Sequence, residues 1–217
     1  MLEARTKVRL YAALSEERKA WLQRFRATLF HQGVSTQLKV SASDASALDQ
    51  VELSPASRQA VQTALRQIHR LTDELVTLRQ ELSSLGRRQL GCRALQGQYG
   101  IGSLLAVAIW EELGDCRRFR SSSDAVRLSG LDVTVYASDD KRSPGHLAKQ
   151  GPAVLRWALY EAAMLAAKPT SPDHPYFSQV RARCGTSRAA FSVGRKIVRR
   201  SYHTLRGLGE EALAPVN

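Results

Sequence analysis

Few of the 217 residues are cysteine or aromatic, and no apolar stretch is long. The three cysteines, Cys92, Cys116 and Cys184, lie far apart without a Cys-x-x-Cys pair, so we expect neither a disulfide framework nor a zinc site. Aromatic residues make up 6% of the chain, which leaves few large rings for sheets or stacking platforms. The longest apolar run, Leu104 to Trp110, is far shorter than the roughly 20 residues that span a bilayer. The start of the chain lacks the apolar segment of a signal peptide, and we therefore expect a soluble cytoplasmic protein without a membrane partner.

Acidic residues are scarce relative to basic ones. Lys and Arg number 32 against 20 Asp and Glu, which gives a formal net charge of +12 at pH 7. Such an excess favours a polyanionic partner, because each neutralised phosphate releases counterions and adds affinity that does not depend on base sequence. The alternatives are a ribosome-like basic surface and a charge that serves solubility alone. Composition favours nucleic acid over both.

The first part of the chain is predicted to be helical. Apolar residues recur at steps of three and four over 6–32, which indicates an amphipathic helix, and Gly33 is well placed to end it. The stretch from Val34 to Ser54 has no strong period and is predicted to be a loop. Ser54-Pro55 then has the chemistry of a helix start, an N-cap followed by proline at the first helical position.

A heptad pattern follows that start and predicts a coiled coil over 61–85. Apolar residues hold its a and d positions through four heptads, and neither proline nor glycine interrupts them. The alternative is an ordinary helix packed on a core. The seam could pair with helix 6–32 or with a second subunit, and a homodimer or higher oligomer is the sharper hypothesis. The seam residues are Val61, Ala64, Ile68, Leu71, Leu75, Leu78, Leu82 and Leu85.

Glycines punctuate the chain beyond residue 90. An apolar helix is predicted over 103–113, and Ser121–Ser123 can cap a short helix that ends near Gly130. Residues 131–148 begin with β-branched residues and continue as a charged loop.

Two more helices are predicted, Pro152–Lys168 and Arg188–Leu208, with a proline-rich stretch between them. The predicted fold class is therefore mainly α, with at most one short strand or hairpin. We expect a helical linker with the coiled coil over 1–90 and a second domain over 91–217.

A glycine pair precedes the apolar helix and has the form of a helix-hairpin-helix turn. Gly100 and Gly102 would let the backbone approach a phosphate, which the free N–H groups of the helix start could then hold. The alternative is a tight turn without a ligand. Arg117 and Arg118, just after the helix, favour the phosphate-binding interpretation.

The densest group of reactive and phosphate-binding residues surrounds Ser138. A serine can attack a phosphodiester if cations hold the phosphate and offset the charge that develops on its oxygens. Lys141, Arg142, His146 and Lys149 could supply that environment. The alternative is a charged loop that happens to contain an exposed serine.

The last predicted helix is strongly basic. Arg195, Arg199 and Arg206 lie near one face, which is typical of a stripe that contacts a nucleic-acid backbone. A solvated face opposite an apolar packed side is the alternative, and both can hold at once. Its basic residues are Arg188, Arg195, Lys196, Arg199, Arg200 and Arg206.

Four groups of residues follow one another in a family-specific order. They are Gly100-Ile101-Gly102 with Ala106; Gly114-Asp115, Arg118-Phe119, Leu128 and Gly130-Leu131; Ser138, Lys141-Arg142, Gly145, Lys149, Gly151 and Leu155-Arg156; and Tyr176, Arg181, Gly185, Ala189, Arg195-Lys196, Tyr202 and Leu205. In this order they resemble the DEDD-type transposases of one class of bacterial insertion sequences, which an element-encoded bridge RNA guides. Three positions differ from the usual family pattern, which has proline at Tyr99, glycine at Asp139 and asparagine at Pro152.

The resemblance implies a catalytic role for Ser138, which would attack the scissile phosphate and become linked to the DNA. It places Arg156 with the cations named above among the nucleic-acid-binding residues. It implies DNA and a guide RNA as partners and a location near the bacterial nucleoid.

Members of this family carry an N-terminal RuvC-like domain whose acidic residues bind divalent metal ions, and no such strand-borne pattern occurs here. We expect no metal site and no cofactor in this chain, with Mg²⁺ only in the missing domain. The expected function is that of a transposase fragment that binds nucleic acid and supplies the serine but is inactive alone. The alternative is a non-catalytic nucleic-acid-binding remnant of such a transposase.

Overall fold

The computed structural model describes residues 1–34, 48, 51–134, 137, 138, 141, 142 and 146–216. This part of the chain is mainly helical, which confirms the predicted fold class. No helix within it is long and apolar enough to cross a membrane. The α-helices are α1 (Leu2–His31), α2 (Pro55–Arg88), α3 (Leu90–Gln96), α4 (Ser103–Leu113), α5 (Ser122–Ser129), α6 (Ala153–Met164), α7 (His174–Cys184) and α8 (Thr186–Leu208).

The chain divides into two compact units. One unit is Leu10–Arg79, and the other combines Met1–Arg9 with Gln80–Asn217. The expected division into a linker over 1–90 and a domain over 91–217 stays a prediction.

The first part of the heptad seam is packed within the unit Leu10–Arg79. Phe25 and Leu29 of α1 form one buried cluster with Val61, Ala64 and Ile68 of α2. Helix α1 therefore covers this part of the seam, as the first of the two predicted pairings requires. The homodimer stays a prediction.

The ends of the two long helices follow the predicted chemistry. Pro55 begins α2, and the Oγ of Ser54 accepts a hydrogen bond from the backbone N of Ser57 at 3.3 Å. Gly33 follows α1 with a φ of +74°, a conformation that favours glycine. Most of the loop predicted over 34–54 lies outside the described residues.

Helix α8 forms the centre of the core in the second unit. It packs against α3, α5, α6 and α7, and its buried side includes Val193, Ile197 and Leu205. Helix α4 is buried over its last two turns, from Ala106 to Leu113, because it is apolar on nearly all sides. These two helices fix the framework on which the surface loops lie.

Two helices of this unit are absent from the sequence prediction. Helix α3 lies before the glycine-rich turn, and α7 occupies residues assigned to the proline-rich separation and beyond. Pro175 stands in the first turn of α7, where its missing N–H removes no intrahelical hydrogen bond. The helix predicted over 152–168 ends as α6 at Met164, and a 3-10 turn follows over Leu165–Ala167.

The strands are short and nested. Strand β1 (Val133–Thr134) pairs antiparallel with β4 (His146–Leu147), and β2 (Ala137–Ser138) pairs antiparallel with β3 (Lys141–Arg142). The register shifts by one residue between the two pairings. We call β1 to β4 the serine hairpin.

Two adjacent carboxylates of α4 are buried in the second unit. Glu111 is fully buried and accepts a hydrogen bond from Arg5 Nε at 2.8 Å. Glu112 pairs with Arg5 and Arg9 at 3.4 and 3.7 Å. Burial raises the pKa of the Glu111 carboxyl above its ordinary value, while the hydrogen bond from Arg5 opposes that rise only in part.

We predict that Glu111→Gln gains stability relative to the wild type as the pH rises above the ordinary carboxyl pKa of about 4.3. The unfolded chain releases this proton more readily than the folded one, so ionisation of Glu111 lowers the free energy of unfolding of the wild type. Each pH unit between the two pKa values corresponds to about 1.4 kcal/mol. Urea unfolding of both proteins across the acidic range measures the difference.

Glu74→Gln is the matched control, because it removes the same charge from an exposed position on α2. A difference between Glu111→Gln and wild type that stays constant or shrinks with rising pH would contradict the raised pKa.

Candidate nucleic-acid interface

The serine hairpin carries the predicted nucleophile. Its backbone register pairs Ser138 with Lys141. The side chains of Ser138, Lys141, Arg142 and His146 lie outside the described residues, so the grouping of these cations around the hydroxyl stays a prediction.

Backbone hydrogen bonds hold the returning end of the hairpin against its start. The N of Ala148 donates to the carbonyl of Asp132 at 3.0 Å, and the N of Lys149 donates to the carbonyl of Gly130 at 3.1 Å. Gly130 ends α5 with a φ of +66°. Both ends of the hairpin are therefore fixed to the end of one short helix.

Gly151 completes this attachment through a close backbone approach. A Cβ at Gly151 would collide with the carbonyl oxygen of Leu128 and would lie 2.8 Å from the N of Gly130. Arg156 spans the same contact, since its Nη1 donates to the carbonyls of Ser129 at 3.3 Å and of Gly151 at 2.9 Å. The Arg156 guanidinium is thus committed to backbone oxygens, and its role toward nucleic acid stays a prediction.

Lys149 has an unusual backbone conformation. Its φ of +54° is the one positive value among the described residues other than glycine. Such a conformation costs a residue with a Cβ about 1–2 kcal/mol, and strain of this kind recurs at functional sites. The side chain of Lys149 is exposed at this position.

A pocket of about 580 Å³ lies between the serine hairpin, α7 and α8. We call it the α7–α8 pocket. Four cationic residues line it, and no acidic residue does so in the part of the chain that the structure describes. The cationic residues are Lys149, Arg183, Arg188 and Arg195.

The sequence prediction contains two of these cations as site residues and misses one entirely. Lys149 and Arg195 are predicted binding residues, and Arg188 is noted only as part of the basic helix. Arg183 has no sequence signal, because only the packing of α7 on α8 brings it to the pocket. Arg195 is partly engaged by hydrogen bonds from its guanidinium to the Leu131 carbonyl at 3.1 Å and to Ser192 Oγ at 2.9 Å.

Other predicted cations have partners within the protein. Arg117 forms ion pairs with Asp115 at 2.7 Å and with Glu210 at 3.0 Å. Arg118 donates to the carbonyl of Glu112 at 2.5 Å and lies over the Phe119 ring.

Lys196 and Arg199 lie on the exposed side of α8. Lys196 is 3.8 Å from Asp173 and lies 4.0 Å above the Tyr176 ring. Arg200 also pairs with Asp173, whereas the Arg206 guanidinium donates to the Phe119 carbonyl at 2.8 Å. The basic helix therefore does not present one uniform stripe of available charge.

The glycine-rich turn joins α3 to α4. Gly100 has a φ of +88°, and a Cβ there would lie 2.7 Å from the Ala162 carbonyl oxygen. Gly102 is exposed at the N-cap of α4, and a Cβ there would have no neighbour within 4 Å. Tyr99 holds the turn to the segment between α6 and α7 through a 2.8 Å hydrogen bond between its Oη and Thr170 Oγ1. The assignment as a helix-hairpin-helix motif stays a prediction.

Arginines pair with two adjacent carboxylates of α4. Glu111 and Glu112 pair with Arg5 and Arg9. The two guanidinium groups would repel a metal ion that approached these carboxylates. Across the described ranges, no three His, Cys, Asp or Glu residues come together as metal ligands.

We predict that Gly151→Ala destabilises the protein by about 3 kcal/mol, because the added methyl group must displace the backbone of α5. Gly207→Ala is the matched control: a Cβ there meets nothing within 4 Å, and alanine favours a helix by roughly 0.5–1 kcal/mol. Thermal and urea unfolding measure both changes. Equal stabilities of the two variants would show that the approach at Gly151 is not constrained.

Comparisons with known proteins identify one family. Residues 92–178 match the model of the transposase IS116/IS110/IS902 family. No curated protein matches the chain. The matched segment covers less than half of the chain and includes α4, α5, the whole serine hairpin and α6. In this central segment the chain is similar to an insertion-sequence transposase, which supports a transposase role.

Proposed function

We propose that this chain is the nucleic-acid-binding and serine-bearing part of an insertion-sequence transposase, in which Ser138 cleaves and rejoins DNA strands. One observation supports the proposal: a pocket whose described lining residues include four cations and no acid adjoins the hairpin that holds Ser138. The family match over residues 92–178 includes that hairpin.

The charge distribution supports binding to a phosphate backbone. The chain has a net charge of +12, and the described carboxylates Asp115, Asp173 and Glu210 pair with other cations. Lys149, Arg183 and Arg188 remain at the pocket, where phosphates can replace their counterions.

The proposed chemistry is a phosphoryl transfer. The Ser138 oxygen forms a bond to phosphorus, the bond from phosphorus to the departing strand breaks, and that strand leaves as a hydroxyl that takes the serine proton. The phosphodiester energy is kept in the serine–DNA bond, so a strand hydroxyl can reverse the step without ATP. Neighbouring cations stabilise the charge on the phosphate oxygens.

We further propose that a RuvC-like domain supplies Mg²⁺ and a bridge RNA supplies target choice, in an assembly with more than one copy of this chain. The roles of this chain's own residues are to hold the nucleic acid and present the serine. Asp139 follows the serine directly, and a carboxylate beside an approaching phosphate opposes the attack.

We predict that the protein, supplied with a RuvC-like domain and guide RNA, forms a denaturation-resistant serine–DNA adduct that Ser138→Ala abolishes. Alanine removes the only atom that can form the bond. Electrophoresis of labelled DNA under denaturing conditions measures the adduct. Ser143→Ala, in the same segment, is the matched control and should retain it.

An adduct that persists in Ser138→Ala would overturn the serine assignment. Salt-sensitive DNA binding without an adduct, under every supplementation, would instead support the non-catalytic remnant.

We predict that Lys149→Gly weakens DNA binding without lowering stability. Glycine relieves the strained φ of residue 149 but adds freedom to the unfolded chain, so the two effects on unfolding nearly cancel within about 1 kcal/mol. Loss of one phosphate contact should reduce the salt dependence of binding by about one counterion. Fluorescence anisotropy with a short duplex at several salt concentrations measures it.

Lys149→Arg keeps the charge and serves as the control that should retain the salt dependence. Unchanged affinity in Lys149→Gly would exclude a phosphate contact at this residue.

A further inference from the structure

We propose that the α7–α8 pocket binds one unstacked nucleotide of a single-stranded nucleic acid, with its base on Phe191 and its phosphates on the surrounding cations. This inference rests on the proposed function and adds a ligand and a location to it. Neither the family match nor the sequence motifs assign this pocket a role.

The pocket combines an apolar wall with a cationic rim. The apolar wall consists of Val133 and Leu147 of the serine hairpin, Val180 of α7 and Phe191 of α8. Arg183 and Arg188, by contrast, are exposed residues at the ends of the two helices. A ligand that satisfies both parts must be anionic at one end and apolar at the other.

Phe191 is suited to receive a base. Its ring is half-buried and lies 5.2 Å from the Tyr160 ring, centroid to centroid, at an interplanar angle of 49°. That contact supports the ring from within the protein, while the ring also lines the pocket. A base stacked on a supported aromatic ring gains about 1–3 kcal/mol, whatever its identity.

The size and charge of the pocket favour a nucleotide over simpler anions. A pocket of about 580 Å³ falls in the range that holds an organic ligand and is much larger than a phosphate ion requires. Bases inside a duplex are stacked on both faces and cannot reach Phe191. A nucleotide must therefore leave the stack, or belong to a single strand, to enter.

The chain contains a natural probe of this pocket. Cys184 lines it and is partly exposed. Burial raises the pKa of Cys92 and of Cys116 to about 12, so neither thiol forms the reactive thiolate at neutral pH in the folded protein. Alkylation by N-ethylmaleimide therefore reports on Cys184 alone while the protein is folded.

The binding experiment compares a single-stranded oligodeoxyadenylate with an abasic oligomer of equal length and charge. We expect the wild type to bind the base-bearing strand about tenfold more tightly, and Phe191→Leu to reduce that preference to about twofold or less. Leucine keeps the apolar volume at this position, and unreactive Cys92 and Cys116 confirm that the variant is folded.

A second variant, Arg183→Gln with Arg188→Gln, tests the cationic rim by removing two charges at exposed positions. This variant should weaken binding of both oligomers by the same factor and keep the preference for bases. Arg66→Gln removes one charge from an exposed position in the other unit and should leave both the preference and the labelling unchanged. Saturating oligodeoxyadenylate should slow Cys184 alkylation about fivefold or more, because a strand bound in the pocket covers the thiol.

Each contrary result has a distinct meaning. Equal binding of the two oligomers, or Cys184 alkylation unaffected by a saturating strand, overturns the pocket assignment while the proposed function stands. Displacement of the strand by a short phosphopeptide of comparable affinity also overturns it. Failure of the wild type to bind any duplex or single strand overturns both the pocket assignment and the proposed function. Oligoadenylate in place of oligodeoxyadenylate distinguishes an RNA ligand from DNA.

Discussion

The contact of Gly151 with the last turn of α5 determines where the serine hairpin lies. The segment leaves α5 at Gly130 and returns to it at Lys149, with a hydrogen bond between the two residues. Arg156 then ties the carbonyls of Ser129 and Gly151 to one guanidinium. Because residue 151 has no Cβ, its backbone fits against the last turn of α5, and the two ends of the hairpin are held close together.

This attachment also explains how Lys149 reaches the α7–α8 pocket. The hydrogen bond from its N to Gly130 and the close approach at Gly151 constrain residues on both sides of it. Between these two restraints Lys149 adopts a φ of +54°, a conformation that glycine adopts at a lower energetic cost than lysine does. The strain is thus compatible with the fold because the neighbouring contacts outweigh it.

Local signals predict the start of α2 and both ends of α5 well and fail where packing decides. Helix α5 begins and ends as its sequence indicates, since the N of Ser121 donates to Asp124 Oδ2 at 3.0 Å and Gly130 has a left-handed conformation. Helix α7 escapes prediction because prolines before it resemble a break, although Pro175 fits a first helical turn. The role of the heptads is also undecided by sequence, since a seam covered by Phe25 and Leu29 of the same chain has the same pattern as a dimer.

The candidate site shows the same division between local and tertiary information. The sequence shows that α8 carries many basic residues but not which of them have partners within the protein. In the structure, Arg206 donates to a backbone carbonyl and Arg200 pairs with Asp173. The basic pattern of α8 does not include Arg183, because this residue belongs to α7. The pocket forms where residues of the hairpin, α7 and α8 come together, which no local pattern predicts.

Among the residues that the structure describes, the α7–α8 pocket is lined by four cations and no carboxylate, and these cations repel one another. A protein selected for stability alone would place acids among them, as this chain does for Arg117 with Asp115 and Glu210. A polyanion that binds the pocket removes the repulsion and stabilises the folded state by mass action. The unpaired charge is therefore physically consistent with a site whose counterion is a ligand rather than a residue of the chain.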